Sequence, residues 1–192
     1  MSAPPSDPLG PGALILVVGP SGAGKDTLID IARARLAGEG RVAFARRLVT
    51  RPPGAGEAHG TLSEADFEAE RAAGRFALCW RAHGLAYALG PEVMTQIQAG
   101  GAVVANGSRA TLDEARSRFA RLKVVLVTAP MGVRAARLAA RGREHPADIR
   151  ERLARQPALT LAPDLLIDNV GAPADGGRRL ADFIAATLAA AG

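Results

Sequence analysis

Apolar residues fall in short runs along this chain, at 14–18, 102–105, 123–128 and 164–167, with a weaker one at 42–45. Each run is of strand length and close to continuously hydrophobic, the pattern of a strand buried on both faces. Helix-like segments lie between them, at 25–37, 63–73, 91–99, 109–120, 130–141, 147–156 and 175–190. Strands alternating with helices predict a parallel sheet covered on both sides. Ser63-Glu64-Ala65-Asp66 reads as a capped helix start, and Pro91 suits a first helical turn. Residues 47–90 break the alternation. They open with Thr50-Arg51-Pro52-Pro53-Gly54 and end in two short predicted strands, 76–81 and 85–89, around His83-Gly84. Such an excursion predicts a small lobe inserted between strands.

The first run leads into GPSGAGKDT, residues Gly19, Pro20, Ser21, Gly22, Ala23, Gly24, Lys25, Asp26 and Thr27, and then into a helix. Strand, glycine-rich loop and helix in that order are the context of a phosphate-binding P-loop. Backbone N–H groups can turn inward around an anion, the helix dipole adds positive potential, and Lys25 reaches the outer phosphates. The chain holds 24 Lys and Arg together, of which only Lys25 and Lys123 are lysine. A lysine therefore stands here where arginine is the rule. Asp26 occupies the usual Ser/Thr position, so direct hydroxyl ligation of Mg²⁺ is replaced by one of two roles. Asp26 holds a metal-bound water, or it caps the N–H groups at the helix start.

Composition narrows the partners. A length of 192 residues suits one compact domain, expected over 13–192 behind a tail at 1–12. No run approaches the roughly 20 apolar residues of a membrane span. The opening segment is no signal or transit peptide, so a cytoplasmic protein is expected. Cys79 is the single cysteine, which excludes an internal disulfide. The net charge of +5 points to anionic partners, but Phe, Trp and Tyr total only seven, too few for a nucleic-acid stacking surface. A small polyanionic substrate fits better. Nothing in the sequence bears on oligomeric state.

A second arginine-rich stretch carries Arg134, Arg137, Arg141, Arg143, Arg150, Arg152 and Arg155, with Gly142 and Pro146 interrupting the helix. A hinged segment at about 141–147 bearing Arg141 and Arg143 suits a phosphate-covering lid, as against an exposed arginine-rich hairpin. Guanine-reading switches carry an Asn-Lys-x-Asp element, which is absent, and many ATPases end a Walker-B strand in Asp, whereas neither Val103-Val104-Ala105-Asn106 nor Val124-Val125-Leu126-Val127-Thr128 ends in a carboxylate. A small kinase remains. If its acceptor is itself a phosphate, the attacking oxygen is already ionised and needs no general base. Lys25, Mg²⁺, Arg141, Arg143 and Arg152 would then neutralise the donor and Arg51 the acceptor.

GPSGAGKD, VTRP, HGTLSEADF, WRAHGLAY, VVANGSRATL and RGREHPADIRERLAR together resemble the ribose 1,5-bisphosphate phosphokinases, a branch of the guanylate-kinase-like group. The resemblance implies an α/β P-loop NTPase sandwich of three layers, with a parallel central sheet, an acceptor lobe at about 47–90 and an arginine-bearing lid. It implies that ATP phosphorylates the anomeric phosphate of ribose 1,5-bisphosphate to give 5-phosphoribosyl 1-diphosphate, a step of phosphonate catabolism. Gly19–Asp26 would hold the ATP phosphates, while Arg141, Arg143 and Arg152 would be lid and catalytic arginines. Arg51 and Tyr87 match positions that hold an acceptor phosphate, and Asp168-Asn169 would lie near the adenine.

Guanylate kinase is the alternative within the group. Its pattern places a second arginine where Gly54 stands, and a guanine-reading Glu where Cys79 precedes Trp80. Its Asp-bearing strand is here Val104-Ala105-Asn106-Gly107-Ser108-Arg109, so Ser108 and Arg109 become candidate contacts to a sugar bisphosphate. Ala86 and Ala88 around Tyr87 depart from the ribose-bisphosphate pattern. A non-catalytic interaction domain of the same fold is a further alternative, opposed by the presence of Lys25, Arg141 and Arg143. Trp80 is expected in the core of the lobe, His83 in a solvated turn, and His59 and His145 carry no signal.

Overall fold

The computed structural model describes residues 7–52, 59–82, 84–140 and 159–190. Its central sheet has five strands, β1 (Ala13–Val18), β2 (Val42–Phe44), β7 (Ala102–Asn106), β8 (Leu122–Thr128) and β9 (Leu165–Asp168), in the order β2-β7-β1-β8-β9. Every pairing within it is parallel, and β1 lies in the middle. All six β1 residues are buried, which explains their unbroken apolar sequence.

Alternate β1 residues feed two cores. Ile15 and Val17 pack with Leu28 and Ala32 of α1 (Lys25–Arg35) and with Leu180 and Ile184 of α6 (Pro173–Ala189). Leu14, Leu16 and Val18 pack on the other face with Val93 and Ile97 of α3 (Glu92–Gln98) and Leu112 and Ala115 of α4 (Leu112–Arg118). Helix, sheet and helix form the three layers of an α/β sandwich. A further helix, α5 (Met131–Ala140), follows β8.

The excursion between β2 and β7 builds a second sheet, ordered β4-β3-β6-β5, from β3 (Leu48–Val49), β4 (Gly60–Thr61), β5 (Leu78–Ala82) and β6 (Leu85–Leu89). Helix α2 (Glu64–Ala72) covers it through Phe67, which stacks on Phe76 at 5.3 Å and packs against Ala86 and Ala88. The predicted helix start is present: Ser63 Oγ accepts from the Asp66 amide at 3.0 Å.

Two predicted elements differ. The helix expected over 109–120 begins as a 3₁₀ turn at Arg109–Thr111 and becomes α-helical only from Leu112. Ser108 Oγ accepts from the Ala110 amide at 3.2 Å and holds that tight turn. The two-residue strands β3 and β4 were not expected, because they are too short to show a period. The segment expected as a helix over 147–156 lies outside the described residues.

Candidate functional site

The loop between β1 and α1 is shaped by close approaches. Gly19 has φ +147°, and a Cβ there would stand 2.1 Å from the Val127 carbonyl of β8. Gly24, at the N-cap of α1, has φ +93°, and a Cβ would meet Asn169 Nδ2 at 2.4 Å. Only glycine fits either position. Asn169 Nδ2 and Arg137 Nη1 both donate to the Ala23 carbonyl, at 2.8 and 3.3 Å, and Arg137 Nη2 donates to the Asn169 carbonyl at 2.9 Å. Residues from after β9 and from α5 therefore brace the back of the loop. Lys25 Nζ donates to the carbonyls of Gly19 (2.9 Å) and Pro20 (3.2 Å), which hold the ammonium over the loop.

A cavity of about 700 Å³ opens in front of this loop. Gly19, Pro20, Ser21, Gly22, Gly24, Lys25 and Asp26 line its donor end, with Ala23 buried behind them. Thr27 lines a second, smaller cavity of about 240 Å³ together with Arg137, Asn169 and Pro173. Arg51, Tyr87, Ser108 and Arg109 also line the large cavity. The structure thus brings the phosphate loop, the end of β7 and the second sheet around one space. Arg141, Arg143 and Arg152, with the 141–147 segment, lie outside the described residues, as do Gly54, His83 and His145.

Each acceptor-side residue has a local reason for its place. Thr50 exchanges backbone and side-chain hydrogen bonds with Ala86, donating its N–H to the Ala86 carbonyl (3.0 Å) and accepting the Ala86 N–H at Oγ1 (2.9 Å). Arg51 follows this pairing and lines the same cavity as Tyr87. The Tyr87 ring lies nearly parallel to that of Trp80, at 6° and 5.5 Å between centroids. Trp80 is half-buried, packs against the core on the face of the central sheet that carries Leu14 and Leu16, and also lines the cavity. Its strand pairing, Trp80 opposite Tyr87, puts both rings on one face of the sheet.

Several lining residues carried no sequence signal. Arg47 lines the cavity with its Cζ 6.0 Å from the Tyr87 centroid and its Nη2 3.5 Å from Asp26 Oδ1. His59 is buried and also lines the cavity. Its Nδ1 sits 3.0 Å from the Gly60 carbonyl, which can only accept, so Nδ1 is the donor of this contact. Asn106 Nδ2 donates to Asp26 Oδ1 at 2.5 Å. That orientation leaves the Asn106 carbonyl oxygen buried and without a hydrogen-bond partner among the described residues.

Positive charge dominates the cavity wall. Arg33 is matched by Asp30 at 2.5 Å, and Arg81 by Glu64 and Glu68 at 2.9 and 2.8 Å. Burial, and then the neighbouring Arg134 guanidinium, push Arg109 below the usual arginine value. A nearby anion would relieve that cost. Arg134 is itself buried, with Nη1 unpartnered among the described residues. Among the described residues, no group of three His, Cys, Asp or Glu side chains is placed to hold a metal ion. Asp26, at the helix start, is the carboxylate nearest the loop, and its partners are Asn106 and Arg47.

No protein-family model matches the chain. A ribose 1,5-bisphosphate phosphokinase PhnN from Methylobacterium radiotolerans is 52% identical over 170 residues, covering 88% of this chain and 96% of that relative. The enzyme of the same name from Rhodopseudomonas palustris is 50% identical over 176 residues, covering 92% and 90%. Among solved structures, a guanylate kinase from Anaplasma phagocytophilum superposes with a TM-score of 0.63 at 13% identity, covering 92% of this chain and 86% of that one. A sugar kinase from Janibacter sp. superposes with a TM-score of 0.54 at 20% identity, covering 93% and 98%. These structural likenesses concern the fold alone.

Proposed function

The chain belongs to the ribose 1,5-bisphosphate phosphokinase family, and on that premise we propose that it moves the γ-phosphoryl group of ATP onto the anomeric phosphate of ribose 1,5-bisphosphate. The observation that carries this reading is one cavity joining the phosphate loop to an arginine-bearing second sheet. An oxygen of the C1 phosphate bonds to the γ-phosphorus as the bond to the β–γ bridging oxygen breaks. The products are 5-phosphoribosyl 1-diphosphate and ADP. The attacking oxygen is already ionised at neutral pH, so the protein has to position and neutralise two polyanions and abstracts no proton.

In this reading the loop Gly19–Thr27, through its backbone N–H groups other than at Pro20, and Lys25 Nζ cradle the donor phosphates. The smaller cavity beside Arg137 and Asn169 takes the adenine, in line with the family resemblance at Asp168-Asn169. Arg51 and Tyr87 hold the acceptor phosphate, and Ser108 and Arg109 contact the sugar bisphosphate. Arg141, Arg143 and Arg152 are assigned to the lid and to catalysis on the sequence resemblance. Mg²⁺ would be carried mainly by the donor phosphates and waters, and Asp26 would hold it through a water, since that ion needs only one or two protein carboxylates. When bound, it neutralises charge on the transferring group.

Guanine is a poor fit. Cys79 and Ser108 offer no carboxylate to pair with its N–H groups, and each buried donor left unpaired costs about 1–3 kcal/mol. Incubation with Mg-ATP and ribose 1,5-bisphosphate tests the proposal by phosphorus NMR. A pair of coupled diphosphate resonances on C1 is the expected product signal. Release of inorganic phosphate alone would overturn it.

A further inference from the structure

Asp26 stands where a phosphate loop ordinarily has a hydroxyl, and the fold gives it a partner that sequence reading did not. Its Oδ1 accepts from Asn106 Nδ2 at 2.5 Å, which fixes the carboxylate to the end of β7. The same oxygen lies 3.5 Å from Arg47 Nη2. Arg47 sits just before β3, and its guanidinium lies over the Tyr87 ring, which is itself backed by Trp80. One arginine therefore spans the gap between the donor loop and the acceptor sheet.

We propose that Arg47, positioned by Asp26, joins Arg51 and Tyr87 in binding the acceptor's reacting phosphate and brings it against the donor. This rests on the reading of the protein as a sugar-bisphosphate kinase. The chemistry favours it in three ways. A guanidinium has five N–H donors, and one contact to Asp26 leaves others for the cavity that Arg47 lines. The contact at 3.5 Å is a charge contact longer than a hydrogen bond, and the Arg47 side chain is 26% exposed, so a dianionic phosphate can compete for it. The Tyr87 face restricts the plane of the guanidinium, so little freedom is lost when phosphate binds. Asp26 then acts through Arg47 as a positioning residue, and the departure from a Ser/Thr loop becomes part of acceptor recognition.

A double-mutant cycle read on the KM for ribose 1,5-bisphosphate isolates this role of Asp26 from its water-mediated one at the metal. Arg47→Gln is expected to raise KM for ribose 1,5-bisphosphate about 10- to 100-fold, as loss of a charged hydrogen bond does. KM for ATP should stay within about twofold. Arg47→Lys should recover only part of the loss, because an ammonium cannot fork. Asp26→Asn keeps the acceptor for Asn106 and removes only the charge. It should raise KM for the sugar bisphosphate in the wild-type background and add little in the Arg47→Gln background. Independent effects of the two substitutions, or an Asp26→Asn enzyme altered only in its Mg²⁺ requirement, would overturn the inference. So would an unchanged sugar-bisphosphate KM in Arg47→Gln while the wild type turns over. A wild type that neither binds nor turns over ribose 1,5-bisphosphate overturns the substrate reading and this inference with it.

Discussion

Asn169 Nδ2 donates to the Ala23 carbonyl at 2.8 Å, joining the end of β9 to the middle of the phosphate loop. The bond is buried, and it occupies the space that a side chain at Gly24 would need. Asn169→Ala leaves Arg137 alone to hold that carbonyl. A lost buried hydrogen bond of about 1 to 1.5 kcal/mol predicts ATP binding weakened by roughly tenfold, with KM for the sugar bisphosphate little changed. Nucleotide titration of the purified variant measures this, and undiminished ATP affinity would contradict it.

Lys25 and Cys79 should differ sharply. Lys25 is held over the loop by two carbonyls, ready to meet phosphate oxygens. Lys25→Ala is expected to lower kcat by about 10²-fold or more, the scale for removing one transition-state donor. Burial pushes the Cys79 thiol up, so it stays protonated and a poor nucleophile at neutral pH. Cys79→Ser should keep turnover within about twofold, and iodoacetamide should label Cys79 slowly at pH 8. Equal losses in the two variants would mean that the site is misassigned.

The packing of α1 on α6 makes a stability prediction. A Cβ at Gly177 would lie 2.5 Å from Ile31 Cβ, so Gly177→Ala overpacks that interface by about 1–3 kcal/mol, more than the ~1 kcal/mol of helix propensity it gains. Gly132→Ala, near the start of α5 with open space around it, should be neutral or slightly stabilising. Thermal unfolding of the two variants should therefore move in opposite directions or leave Gly132→Ala unchanged.

The ion pairs of Arg81 contribute a small pH dependence. Hydrogen bonds from Thr50 and then Arg81 hold the Glu64 carboxyl below its ordinary value, and Arg81 followed by Arg71 does the same for Glu68. A carboxyl lowered in the folded state stabilises the protein above its unfolded value of 4.5, and that contribution disappears as pH falls through the folded value. All three side chains are exposed, so the effect is small. Arg81→Gln should lose less Tm between pH 7 and pH 3 than the wild type. An identical fall in both would contradict the assignment.

What the sequence revealed depended on how local the cause was. The strands of the central sheet were legible because burial on both faces makes each a continuous apolar run, as in β1. The phosphate loop was legible because its glycines, lysine and flanking elements are adjacent in sequence. β3 and β4 were hidden: Leu48-Val49 and Gly60-Thr61 are strands only because β6 and the Arg47 carbonyl, which accepts from the Gly60 amide at 2.7 Å, give them partners. Arg47 could not be told from Arg46 beside it, since only folding brings one of them to Asp26. His59 had no neighbours in sequence to mark it, and it enters the cavity through the pairing of β4 with β3. Trp80 packs on a core, as a lone tryptophan usually does, but its stacking on Tyr87, seven residues away across a hairpin, leaves no mark in the sequence.

The most direct test is the ratio of kcat/KM for ribose 1,5-bisphosphate to that for GMP, each with saturating Mg-ATP. The missing guanine-reading carboxylates and the arginine-lined cavity predict a ratio of at least about 10², the discrimination expected when buried polar groups go unpaired. A ratio at or below one would contradict the account.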